Sequence, residues 1–154
     1  MRIHTMGFTG KSAETFFTRL RDAGVAKLID IRRSSNTLYC GFTRMRDLPF
    51  LLDRLCGIPY VHEPQFAPSM ELLRDYQRWM KEKKKPPEIW PEYVRRFSAE
   101  LAARPIVQVF RQHASGVASL CLLCTEAKPD YCHRRLLAEY IQENENPRPE
   151  IVHL

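Results

Sequence analysis

The spacing of apolar residues along this chain switches repeatedly between continuous short runs and the three-and-four spacing of a helix. Ile3 to Phe8 predicts a first strand, ending among Gly7 and Gly10. Ser12 then offers an N-cap, and Phe16, Phe17 and Leu20 recur at helical spacing up to a stop at Gly24. Val25 to Ile31 is short, apolar and rich in β-branched residues, the pattern of a buried strand. A polar segment, Arg33 to Arg46, predicts a long loop. Asp47 can cap a helix carrying Phe50, Leu51, Leu52 and Leu55, with Gly57 at its end. Ile58 to His62 predicts a third strand, and Met70 to Lys84 a helix that breaks at Pro86-Pro87. Pro91 suits the first turn of the next helix, followed by Tyr93, Val94, Phe97 and Leu101. Ile106 to His113 is expected to be a helix stopped by Gly116.

Val117 to Cys124 is almost uninterrupted apolar sequence, which suits a central parallel strand buried on both faces. Arg134 to Ile141 predicts a helix, and Pro149 to Leu154 a last strand. Strand and helix alternate without internal repeats. The expectation is one α/β domain over residues 1–154, a mainly parallel wound sheet flanked by helices.

Composition narrows the function classes. Hydrophobic residues make up 44% of the chain and charged residues 27%, the balance of a globular domain with a substantial core. No run approaches the roughly 20 apolar residues of a membrane span, and Met1 to Gly10 lacks the apolar region of a secretory signal. A cytoplasmic protein is therefore expected. Five cysteines are an odd count, which argues for reduced thiols rather than a disulfide framework. The net charge of +6 points to an anionic small molecule or nucleic acid as partner, although Lys81 to Lys85 can also be a solvated helix end.

Candidate chemistry collects where strands end, because ligands of open α/β sheets gather at the carboxyl edge. Cys124 closes the strongest strand, and Cys132-His133-Arg134 opens the following helix. A helix start favours a thiolate or a bound anion, so Cys132 is expected to have a lowered pKa and to be the better nucleophile. Cys124 is the alternative nucleophile. His133 would act as base or proton carrier, and Glu126 would orient it or act as general acid. Cys121, inside the strand, is expected to be core filler. Cys121, Cys124, Cys132 and His133 are also four soft ligands within a short span. Residues three apart on a strand diverge, however, and adjacent Cys132 and His133 rarely meet on one ion, so no metal site is expected. A c-type haem attachment needs Cys-x-x-Cys-His, which is absent, and no other cofactor is implied.

Asp30 and Arg32 end another central strand and share a face. Arg32, Arg44 and Arg134 could clamp a phosphate or carboxylate, or Arg32 and Arg44 could pair internally with Asp30 or Glu126. Tyr39 and Phe42 could stack on a base or cover the core, Asn36 lies in the same loop, and His62-Glu63 could border the site.

Several motifs resemble one family from end to end. They are Gly7-Phe8-Thr9, Leu28-Ile29-Asp30-Ile31-Arg32, Gly41-Phe42-Thr43, Tyr60-Val61-His62-Glu63-Pro64 and Trp90-Pro91-Glu92-Tyr93. Most specific are Leu122-Leu123-Cys124-Thr125-Glu126 and Cys132-His133-Arg134-Arg135, and Ile151-Val152-His153-Leu154 completes the set. On these the chain resembles the family catalogued as domain of unknown function 488. That resemblance implies no activity. The residues themselves favour a thiol-dependent enzyme acting on an anionic substrate that could be a nucleotide or nucleic acid. The competing expectations are a non-catalytic nucleic-acid-binding or regulatory module and a zinc-containing structural domain.

Overall fold

Every residue of Ser119–Cys124 is buried, which a strand achieves only inside a sheet covered on both faces. The computed structural model describes residues 1–34, 40–82 and 85–154, and places this run at the centre of the molecule. In chain order the elements are β1 (Arg2–Gly7), α1 (Ala13–Asp22), β2 (Leu28–Asp30), α2 (Leu48–Cys56), β3 (Tyr60–His62), α3 (Met70–Lys81), α4 (Pro86–Ala102), α5 (Ile106–Ala114), β4 (Ser119–Cys124), α6 (His133–Asn144) and β5 (Glu150–His153). The five strands form one sheet in the order β3-β2-β4-β1-β5, with every pairing parallel. Leu28 and Ile29 stand in register with Cys121 and Leu122, so the two central apolar runs are neighbours. This is one α/β domain.

The period-two alternation of β4 divides the core in two. Leu120, Leu122 and Cys124 face a cluster that includes Phe97, Phe110 and Leu137, from the helices after β3. Cys121 and Leu123 face Phe16, Leu20, Leu48 and Leu52, from α1 and α2. A right-handed crossover leaves the sheet on the face set by its direction. β2 sends the chain outward toward β3 beneath α2, whereas β4 sends it the opposite way through α6 toward β5. A crevice therefore opens between the carboxyl ends of β2 and β4, where neighbouring connections part.

Local chemistry explains the element ends. Ser12 and Ser69 accept from the backbone N–H groups of Thr15 and Leu72, both at 3.1 Å, and so begin α1 and α3. Gly57 ends α2 at φ +64°, a conformation that side chains disfavour.

Three expectations change. β2 is shorter than Val25 to Ile31 because Val25 N–H closes back on Leu20 after α1 and does not join the ladder. The helix after α3 begins at Pro86 rather than Pro91, since Pro86 and Pro87 both occupy first-turn positions that need no N–H donor. Pro91 lies inside α4. Phe50 and Leu55 belong to α2 but are exposed, its buried members being Leu48 and Leu52. Asn36 and Tyr39 lie outside the described residues, and Phe42 packs against Phe16 and Phe17 with ring centres 5.4 and 5.9 Å away. Among the described residues no helix is long and apolar enough to cross a membrane.

His4 supplies a pH test of this core. It is buried on β1, and neither ring nitrogen has a hydrogen-bond partner among the described residues. Burial first, then the charge of Arg2, lowers its pKa from 6.5. The unfolded chain binds the His4 proton more readily than the fold does, so stability rises with pH across this window. Stability should be full above about pH 6.5 and fall as pH drops toward the lowered value. Urea midpoints between pH 5 and 8 should show that slope, and His4→Gln should flatten it. An unchanged slope in the variant would assign the effect elsewhere.

Candidate functional site

β4 ends at Cys124, and the chain returns to the same crevice at Cys132, the N-cap position of α6. Cys132 is extended (φ −129°, ψ 134°) while His133 is the first helical residue. This break in conformation turns two adjacent side chains toward one point. Cys124 Sγ lies 3.6 Å from His133 Nδ1 and 3.8 Å from Nε2. The donor atoms of Cys124, Cys132 and His133 all lie within 4.8 Å of one another. Glu126 Oε2 stands 3.5 Å from Cys124 Sγ and 3.7 Å from Cys132 Sγ. The two thiols, the imidazole and the carboxylate border a cavity of about 310 Å³.

The cavity walls come from both sides of the crevice. Arg32, Arg33 and Ser34 follow β2, Thr125 and Glu126 follow β4, and Tyr131 precedes α6. Leu73, Tyr76 and Gln77 of α3 and Tyr93 of α4 close the far side. The tyrosines were not expected at the site, because their spacing within α3 and α4 reads only as a core stripe. Tyr93 stacks on Trp90 at 5.0 Å, and Trp90 meets Tyr131 edge-on at 5.5 Å. Burial, followed by the nearby Cys124, Cys132 and Glu126, pushes the Tyr93 phenol well up. The cavity therefore holds a neutral O–H donor beside its sulfur cluster.

The electrostatics reverse one expectation. The Cys132 thiol is pushed up, first by a hydrogen bond with Cys124, then by burial and the neighbouring Cys124 charge. His133 and Arg134 oppose these effects without overcoming them. The neighbouring sulfur and burial thus hold Cys132 in its thiol form. Cys124 has the imidazole beside its sulfur. Cys121 faces the other side of the sheet, where burial alone pushes it far up.

The arginines have been drawn into internal roles. Arg32 is 4% exposed, and its Nε and Nη2 bind the Asp30 carboxylate at 2.8 and 2.5 Å. Its Nη2 also donates to the Thr43 carbonyl, and its guanidinium lies 5.1 Å over Phe8, on the α1 side. Asp30 also accepts from Tyr60 Oη at 2.9 Å, and His62 donates to the Arg32 carbonyl at 2.8 Å. Arg32 thus borders the cavity while paired internally with Asp30, the second of the two expectations for it. Arg44 and His62 are not among the residues that line the cavity.

Arg134 is held inside the fold. It is 1% exposed, donates to the carbonyls of Glu126 at 2.5 Å and Ala127 at 3.2 Å, and does not line the cavity. Arg33 also lines the cavity, and it reaches the Ala67 and Pro68 carbonyls at 2.5 to 3.2 Å.

The model of one family, Domain of unknown function DUF488, matches residues 12–141, and the chain belongs to that family. No curated protein and no solved structure matches it.

The Glu126 loop sets a structural test. A Cβ on Gly7 would stand 1.6 Å from the Glu126 carbonyl oxygen, so the backbone itself would have to move. Gly7→Ala should lower stability by on the order of 1–3 kcal/mol. Arg134→Met should do the same by taking the donor away from the Glu126 and Ala127 carbonyls. Urea unfolding measures both, and wild-type midpoints would show that the loop does not depend on this contact.

Proposed function

We propose that this member of the DUF488 family is a thiol-dependent enzyme. Its reaction centre is Cys124, with His133 as proton acceptor and Cys132 and Glu126 beside them. Its substrate is small and carries an anionic or strongly polar group. The supporting observation is the 3.6 Å approach of Cys124 Sγ to His133 Nδ1 at a cavity on the carboxyl edge of the sheet. A sulfur with a base at that distance can lose its proton, and a thiolate seeks an electrophile, either a substrate atom or a metal ion that carries the substrate. Ile31 supports the proton assignment. Its carbonyl lies 3.4 Å from His133 Nε2 and can only accept, so Nε2 carries the proton and Nδ1 keeps its lone pair toward the sulfur.

The walls suit a substrate with one flat face and one polar end. Tyr76, Tyr93 and Tyr131 supply ring surface and phenol donors, and Arg33 is the cation at the rim. A reducing cytoplasmic setting would keep such a centre in its thiol form. The nucleic-acid alternative draws mainly on the net charge of +6, and Arg32 and Arg134 contribute no open guanidinium to it.

Iodoacetamide labelling of chelator-treated native protein, read by mass spectrometry, tests this assignment. Cys124 should react faster than Cys132 and Cys121 near neutral pH, and His133→Ala should slow it about tenfold or more. Cys124→Ser should fold and lose all activity found for the chain. Equal labelling of Cys124 and Cys121, or a rate indifferent to His133, would sink the reading.

A further inference from the structure

Cys124, Cys132 and His133 meet more closely than a nucleophile and its base require. A zinc-class ion binds thiolate sulfur at about 2.3 Å and imidazole nitrogen at about 2.0–2.1 Å. Tetrahedral geometry at those lengths puts a sulfur and a nitrogen about 3.6 Å apart. Cys124 Sγ and His133 Nδ1 are 3.6 Å apart, and all three donor atoms fall within 4.8 Å. We infer that Cys124, Cys132 and His133 form a three-ligand site for a divalent zinc-class ion whose fourth position opens into the cavity. The inference deepens the reading above and rests on the same residues being the reactive centre. It makes the metal the electrophile that the Cys124 thiolate meets.

The surroundings fit this assignment independently. A metal-bound histidine usually donates its other N–H to a carbonyl or carboxylate, and His133 has Ile31 O at 3.4 Å from Nε2. Two buried thiols and a carboxylate crowd together here, while the guanidinium groups of Arg32 and Arg134 are held by other partners. A divalent cation would balance that concentration of sulfur and oxygen donors. Loading the site breaks two S–H bonds and forms two S–metal bonds and one N–metal bond. Two protons leave to solvent, and no electron is transferred.

Glu126 lies against both sulfurs but outside the tight three-atom set. It is placed to take a proton from a water in the fourth position, leaving a metal-bound hydroxide and a neutral carboxyl. Expectations from sequence missed this because adjacent ligands rarely converge. Here the extended Cys132 followed directly by helical His133 makes them do so.

Cobalt(II) titration of the chelator-treated full chain tests the inference. One ion per chain should bind, with thiolate-to-cobalt charge-transfer absorption and the strong visible bands of tetrahedral cobalt, and zinc(II) should displace it. About two protons should be released per ion at a pH where both thiols are protonated. Cys124→Ser, Cys132→Ser and His133→Ala should each weaken binding about 100-fold or more, whereas Cys56→Ser should not. Glu126→Gln should keep affinity within about threefold, and azide should perturb the visible bands by entering the fourth position.

The proton count and the spectrum are read on the wild-type chain, so a variant that misfolds does not remove the test. Absent cobalt binding, octahedral bands or missing charge transfer would overturn the metal site. If Cys124 then still labels fast in a His133-dependent way, the thiol reading stands without the metal. Tetrahedral cobalt untouched by azide would mean a closed structural site, and would defeat both the open position and the reactive-centre reading.

Discussion

Gly7 ends β1 beside Cys124, its register partner on β4, and the space where a side chain would stand is filled by the Glu126 carbonyl oxygen. The contact lets the chain leaving β4 fold back over the end of β1. Thr9 reinforces it, donating to the Thr125 carbonyl through its backbone N–H at 3.1 Å and its hydroxyl at 2.7 Å. Arg134 comes from the far end of the same loop and holds the next two carbonyls. The guanidinium is itself buried, and these carbonyls satisfy two of its donors. The position of Glu126 beside both sulfurs follows from this packing, as does the return of the chain to Cys132 only eight residues after Cys124.

The same economy shapes the charges around the crevice. Arg32 completes Asp30, which Tyr60 also satisfies, and together they tie the end of β2 to the turn that contains Thr43. An ion pair this deep is weak evidence for added stability, since desolvation offsets much of its attraction. Its geometric effect is clearer. It fixes the backbone at Ile31 and Arg32, and the Ile31 carbonyl is the group that orients the His133 ring. A pair on one face of the sheet thereby helps to fix a carbonyl that meets an imidazole on the other.

The sheet was legible because β2 and β4 are continuous apolar runs between helical periods, and burial on both faces leaves such runs little alternative. Their carboxyl ends located Cys124, Glu126, Cys132 and His133 by the same logic. The arginines were legible only in part, since the Arg32–Asp30 pair was one of two open expectations. A guanidinium after a strand looks alike in sequence whether it meets a ligand or a carbonyl, and only the fold shows that Arg134 meets Glu126 and Ala127. The tyrosines were hidden for a related reason. Helical spacing marks Tyr76 and Tyr93 as inward-facing but does not say that the inward side holds a cavity. The start of α4 was obscured by three prolines, each acceptable at a first turn, of which only Pro86 and Pro87 sit there.

The upward push on the Cys132 thiol follows from where it sits in the fold. A position at a helix start should favour a thiolate, yet that field is modest and falls off within one turn. At Cys132 it competes with burial and with a second sulfur a few ångströms away, and those effects prevail. Cys124 has no helix start of its own, but the imidazole that β2 and α6 jointly hold lies at its sulfur. The fold thus divides the pair by partner. One sulfur lies against an imidazole nitrogen, and the other is held in its thiol form by burial and by its neighbour.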